Sequence, residues 1–142
     1  MQQPIMIFKI HIDNTKVNQL EGPYGGAYFI PFTGEVESEL FSGHILPGAA
    51  DIQTEDLAGT RHMCAKYMFE GTDSEGNTCH LFVENNGWMN EKNRKDPFIN
   101  AYPLFMTEST VLGPYICQQR FRSEVHPAEC GVDIWIFDVL KD

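Results

Sequence analysis

The sequence is punctuated more than it is periodic. Short runs rich in β-branched and aromatic residues stop repeatedly at Gly, Pro, Asn or Asp, and helical spacing is weak throughout. That pattern belongs to all-β sandwiches and barrels. Strands are expected near residues 5–12, 26–32, 34–46, 61–70, 78–86, 100–108, 115–124 and 132–140. Two hairpins stand out. One joins 61–70 to 78–86 through Gly71-Thr-Asp-Ser-Glu-Gly-Asn77; the other joins 115–124 to 132–140 through Val125-His-Pro-Ala-Glu-Cys-Gly131. About eight antiparallel strands favour an up-and-down barrel, because closure removes exposed edges. A chain of 142 residues suits one such domain, spanning 1–142. A barrel of this size is either filled by side chains or holds one small ligand.

Strand side chains alternate between faces, so the first hairpin has two distinct surfaces. One carries His62, Cys64, Lys66, Met68 and Glu70 beside Thr78, His80, Phe82, Glu84 and Asn86. The other carries Met63, Ala65, Tyr67 and Phe69 beside Cys79, Leu81, Val83 and Asn85. In one arrangement the apolar face is core, and Lys66 and Glu84 are ordinary cross-strand partners on the outside. In the other, His62, Lys66, His80 and Glu84 line a polar lumen where burial draws their pKa values toward neutrality. The closing run, Val132-Asp-Ile-Trp-Ile-Phe-Asp-Val-Leu140, is apolar on both parities apart from its two aspartates. It points to a subunit contact or a covering element on the outer side of the sheet, and the first of these is the basis for expecting a homo-oligomer.

Charge narrows the partners. Twenty acidic residues against ten basic give a net charge of −10. Phosphate recognition needs clustered Lys and Arg, so nucleic acid is excluded, and an anionic membrane surface is disfavoured. The N-terminal run lacks a basic start and is interrupted by Lys9, which is unlike a signal peptide, and no stretch is long and apolar enough to cross a membrane as a helix. A cytoplasmic location is expected, with Cys64, Cys79, Cys117 and Cys130 as free thiols. No C-x-x-C pair, P-loop, G-x-S-x-G, G-x-G-x-x-G or H-E-x-x-H is present, and the histidines are dispersed. No metal or cofactor is therefore expected. The polar segment Gly87-Trp-Met-Asn-Glu-Lys-Asn-Arg-Lys-Asp-Pro97 is a candidate lid.

Phe41-Ser-Gly-His-Ile-Leu-Pro-Gly-Ala-Ala-Asp51 poses the sharpest local question. It starts as a strand, breaks at Pro47-Gly48 and delivers an acid after two alanines. Asp51 either bonds backbone N–H groups at a corner or projects into a site. From Gly43 to Asp51 the stretch resembles the Gly-x-x-x-Pro-Gly-Gly-Ala-Asp segment of the uncharacterised family known as domain of unknown function 3237. Cys64-Ala-Lys-Tyr67, Asp73-Ser-Glu-Gly76, Phe82-Val-Glu-Asn-Asn-Gly87, Pro103-Leu-Phe-Met-Thr107 and the run from Val132 to Val139 follow the family's order. The chain departs from the family pattern at Ala49, Cys64, Lys66 and Met106. The resemblance implies a small antiparallel barrel, similar in outline to lipocalins and allene oxide cyclases, and brings no activity with it.

Together these features point to a barrel that binds a small, partly apolar organic molecule, with Asp51, Lys66, Tyr67, His80, Glu84 and Asn85 as the binding residues. Asn85 and Tyr67 have the opposite parity to Lys66, His80 and Glu84, so one lumen accepts all of them only with a bulge. Two alternatives stay open. One is a cofactor-independent isomerase, cyclase or lyase using the same lumen. The other is a non-catalytic barrel with a filled interior, acting through subunit or partner contacts.

Overall fold

The computed structural model describes residues 2–141. Ten strands follow one another: β1 (Met6–Ile12), β2 (Asn18–Gly22), β3 (Gly25–Glu37), β4 (Phe41–Ile45), β5 (Ala50–Glu55), β6 (Arg61–Asp73), β7 (Thr78–Met89), β8 (Phe98–Thr107), β9 (Phe121–Ala128) and β10 (Gly131–Asp138). A four-residue helix, α1 (Gly113–Ile116), lies between β8 and β9. Every strand pairing is antiparallel, and β1 closes the ring by pairing with β10 on one side and β3 on the other. Two staves are broken. β1 and β2 share one side of β3, separated by a 3-10 turn at Asn14–Lys16; β4 and β5 share its other side, separated by the turn at Pro47-Gly48. Counting each broken stave once, the molecule is a closed eight-stranded barrel.

The apolar parity won the interior. Phe69, Leu81 and Val83 are fully buried and Tyr67 nearly so, while His62, Lys66, Met68 and Glu70 project outward with His80, Phe82 and Glu84. Turning the sheet over would bury Lys66 and Glu84 and expose four large apolar groups, each worth about 1.5–3 kcal/mol when buried. Lys66 and Glu84 face each other in register, with Nζ 3.6 Å from Oε1, as ordinary cross-strand partners do. The polar lumen built from His62, Lys66, His80 and Glu84 is therefore not formed.

Three stretches differ from the expected strands. Residues 25–37 form one strand across Gly34, where the Lys9 carbonyl passes too close to leave room for a Cβ. That glycine marks close packing rather than a turn. Residues 113–116 are helical: Pro114 sits in the first helical turn, and Ile116 is driven with Leu112 into the barrel's end. β9 therefore begins only at Phe121. β5 was not anticipated, because its alternation is inverted, with Asp51 and Gln53 facing in and Ile52 facing out.

The outward apolar groups of β10 are covered within the chain. Trp135 stacks on His126 at 4.0 Å, and the Arg122 guanidinium lies 4.2 Å over Phe137. Gln2 bridges Arg122 and the Asp138 carbonyl. These contacts place the protein's own side chains over part of the strand's outer face.

The interior is filled at one end only. Phe8, Phe41, Phe69, Phe105, Leu81 and Ile116 pack there, with Phe8 and Phe69 centred 4.9 Å apart and Phe105 edge-on to Phe121 at 5.5 Å. α1 closes that end. Toward the other, the side chains shorten to Ala65, Gly87 and Ala101, and space opens.

Candidate functional site

The open half of the barrel holds a cavity of about 200 Å³. Its wall is almost wholly apolar, with Met63, Met89, Phe98, Val125, Val132 and Ile134 prominent, and its polar side chains are Asp51, Gln53 and Asn85. A narrower chamber of about 60 Å³ adjoins it, shares Asp51, Ala65 and Asn85, and adds Tyr67. Strand register places these groups. Asp51 of β5 is opposite Ala65 of β6, which is opposite Asn85 of β7. The acid and the amide thus flank a methyl group across one rung, with backbones roughly 10 Å apart.

Asp51 does not cap the corner. Its Oδ2 accepts a 2.7 Å hydrogen bond from Gln53 Nε2, while its Oδ1 is buried and has no hydrogen-bond partner among the described residues. Gln53 is held in turn by Arg61, whose Nη1 donates to Gln53 Oε1 at 3.1 Å, so the amide presents its NH2 to the carboxyl. Arg61 also donates from Nε to Glu55 at 3.0 Å. Burial pushes the Asp51 carboxyl above its ordinary range; the Gln53 hydrogen bond and the charges of His62 and Arg61 only partly oppose it. Asn85 Oδ1 accepts from the fully buried Ser123 hydroxyl at 3.1 Å, leaving the Asn85 NH2 to donate. Tyr67 is wedged by Phe32 at 5.0 Å and Phe69 at 5.6 Å. Burial, and then the Asp51 charge, hold its phenol well above the usual tyrosine range, so it stays a donor.

Of the expected binding residues, the structure brings Asp51, Tyr67 and Asn85 together inside the barrel. Lys66, His80 and Glu84 are on the outer wall. Lys66 is largely in solvent, and Glu84 also accepts from Asn86 at 3.0 Å. His80 bonds Glu108 at 2.6 Å and Glu70 at 3.2 Å; the Glu108 hydrogen bond leads in raising its pKa. His80 edges a broad open groove over Met68, Phe82 and Met106, which is exposed to solvent rather than enclosed. Gln53 was missed by sequence reasoning, although its place two residues after Asp51 puts both on one face. The 87–97 segment splits. Gly87 and Met89 end β7 and line the cavity, and the loop beyond sends Arg94 to within 3.4 Å of Glu55 at the end of β5.

Residues 2–126 match the family model described as Protein of unknown function (DUF3237). The chain belongs to this family. Of the residues in the stretches that resemble the family, Asp51, Tyr67 and Asn85 are polar groups of the inner chamber, Cys64, Lys66 and Met106 face outward, and Ala49 is buried in the core. Among curated proteins nothing matches the chain. Solved structures do match. A protein with unknown function from Clostridium acetobutylicum ATCC 824 is 21% identical, with a TM-score of 0.75 over 97% of this chain and 98% of that one. A conserved protein of unknown function from Rhodopseudomonas palustris is 23% identical, with a TM-score of 0.66 over 96% and 95%. A beta-barrel like protein from Acinetobacter baumannii AYE is 19% identical, with a TM-score of 0.69 over 97% and 94%. These likenesses concern the fold. No helix among the described residues is long and apolar enough to cross a membrane, and the four cysteines are unpaired.

Proposed function

We propose that this protein binds a small, largely apolar organic molecule inside the barrel, anchored through an oxygen or nitrogen function at Asp51. The unpartnered Asp51 Oδ1 carries the reading. A buried carboxyl oxygen without a hydrogen bond costs about 1–3 kcal/mol. It lies in the wall of a largely apolar cavity, out of reach of water, and a ligand whose polar end presses in beside it would satisfy it. Pockets for small molecules have this composition, with apolar walls and a few placed polar groups. The outer groove is larger, but it is open, and its charged groups already have partners. A cytoplasmic location suits this reading, since a reducing compartment keeps four unpaired thiols reduced.

The test is thermal denaturation against a panel of small cyclic alcohols, phenols and ketones, with wild type beside Ala65→Leu. Ala65 lies between Asp51 and Asn85, so the larger side chain fills the chamber. A ligand at a hundred times its Kd adds about 2.7 kcal/mol of stability. The expected result is a raised Tm for some panel members in wild type and none in Ala65→Leu. No shift with any member, or equal shifts in both proteins, would overturn the reading.

A further inference from the structure

The narrow chamber offers more than an anchor. Of its three polar side chains, each has one group fixed by the protein or its packing and one group with no partner among the described residues at the chamber wall. Asp51 is held through Oδ2 and presents Oδ1. Asn85 is held through Oδ1 and presents its NH2. Tyr67 is held by the aromatic rings around it, and no described residue hydrogen-bonds its hydroxyl. The result is one carboxyl oxygen and two donors around about 60 Å³, beside a larger apolar room. A carbonyl group with a hydrogen on its neighbouring carbon is complementary to that arrangement. The donors meet its oxygen, the carboxylate meets its C–H, and the apolar remainder occupies the larger cavity.

Resting on the ligand reading above, we propose that the chamber is an active site for enolisation of a small apolar ketone, with Asp51 as the base and Tyr67 and Asn85 as the carbonyl's donors. The C–H bond beside the carbonyl breaks, and its proton goes to Asp51 Oδ1. The electron pair moves into an enolate whose oxygen the two donors stabilise. The proton then returns to the same carbon, or to a conjugated one if a double bond is to be moved. Atoms and charge balance within ligand and carboxyl; in D2O the proton on the carboxyl exchanges with a solvent deuteron before return, so the carbon acquires deuterium. Arg61 is a positioning residue. It fixes the Gln53 amide, and thereby the orientation of the carboxyl. Burial raises the Asp51 pKa toward the working range of a general base, which supports the role that geometry assigns.

The experiment incubates the protein in D2O with cyclohexanone, 1-indanone and β-ionone as probes. Loss of their α-proton NMR signals reports exchange, and saturation transfer in the same samples reports binding. Wild type should exchange at least one bound probe roughly tenfold or more faster than Asp51→Asn at equal concentration, with both proteins binding it. The rate should rise with pH to a plateau as Asp51 ionises. Tyr67→Phe should bind the probe and exchange it more slowly. Probes that bind wild type but not Ala65→Leu, yet exchange no faster than with Asp51→Asn, would overturn this inference and leave the ligand reading standing. If no ketone binds while alcohols or phenols do, this inference again fails alone. If nothing binds, both fail.

Discussion

Asp51 has a carboxyl that burial disfavours in its charged form, and only Gln53 compensates directly. The sign of the pH effect follows. A carboxyl whose folded pKa lies above the unfolded value of 3.8 contributes its stability below that value and loses it as pH rises through the folded pKa. Asp51→Asn keeps an acceptor for Gln53 and has no charge to bury. Near pH 7 the variant should be more stable than wild type by about 1 kcal/mol or more, and the gap should close as pH falls below 4. Urea denaturation across that range measures it; a less stable variant at pH 7 would contradict it. Lys66 makes the contrast. Its ion pair with Glu84 is mostly in water, so Lys66→Met should change stability by less than about 1 kcal/mol and leave ligand-induced Tm shifts intact. Both residues looked like binding groups in the sequence. Parity separates them, and parity is a property of the register, which only the completed sheet settles.

At the scale of elements, the two hairpins were legible because alternation and turn chemistry agree in them. β5 was not, because polar side chains occupy its inner positions. A strand that breaks the usual pattern is where a site is expected, since local rules yield most often at functional positions. The last two residues of α1, Tyr115 and Ile116, resemble the start of a strand because they are as apolar as strand residues, and a helix of one turn gives no periodicity to detect. Its anchor is an ionic knot. Asp138, fully buried, accepts from the Tyr115 hydroxyl at 2.6 Å and from Arg120 Nη2 at 2.8 Å. Burial alone would raise the Asp138 pKa, but those hydrogen bonds outweigh it and the net direction is down. Its contribution is present above pH 3.8 and fades as pH falls through the lowered folded value. Asp138→Ala should destabilise the fold by about 3 kcal/mol at pH 7, with a smaller penalty in acid. Thermal unfolding of the pair at both pH values checks this.

The whole molecule is a barrel with two unlike halves, one packed and one open. Closure was legible in the strand count, since about eight strands on a short chain resolve their edges best by joining ends. The half-filled interior was not. It depends on which small residues, Ala65, Gly87 and Ala101, gather at one end when eight staves are brought to register. The difference is measurable by truncation. Phe69→Ala in the packed half should cost about 3–5 kcal/mol. Met63→Ala, beside existing space, should cost clearly less, since its neighbours already lack contacts on one side. Equal losses in urea denaturation would mean that the open half is closed in solution.

The central claim about this protein is that its ligand sits in the lumen. A crystal structure of the wild-type protein with a bound member of the thermal-shift panel tests it most directly. Density is expected in the chamber beside Ala65, with a polar atom of the ligand within hydrogen-bond distance of Asp51 Oδ1. Density over Met68, Phe82 and Met106 on the outer wall, with the lumen unchanged, would contradict it.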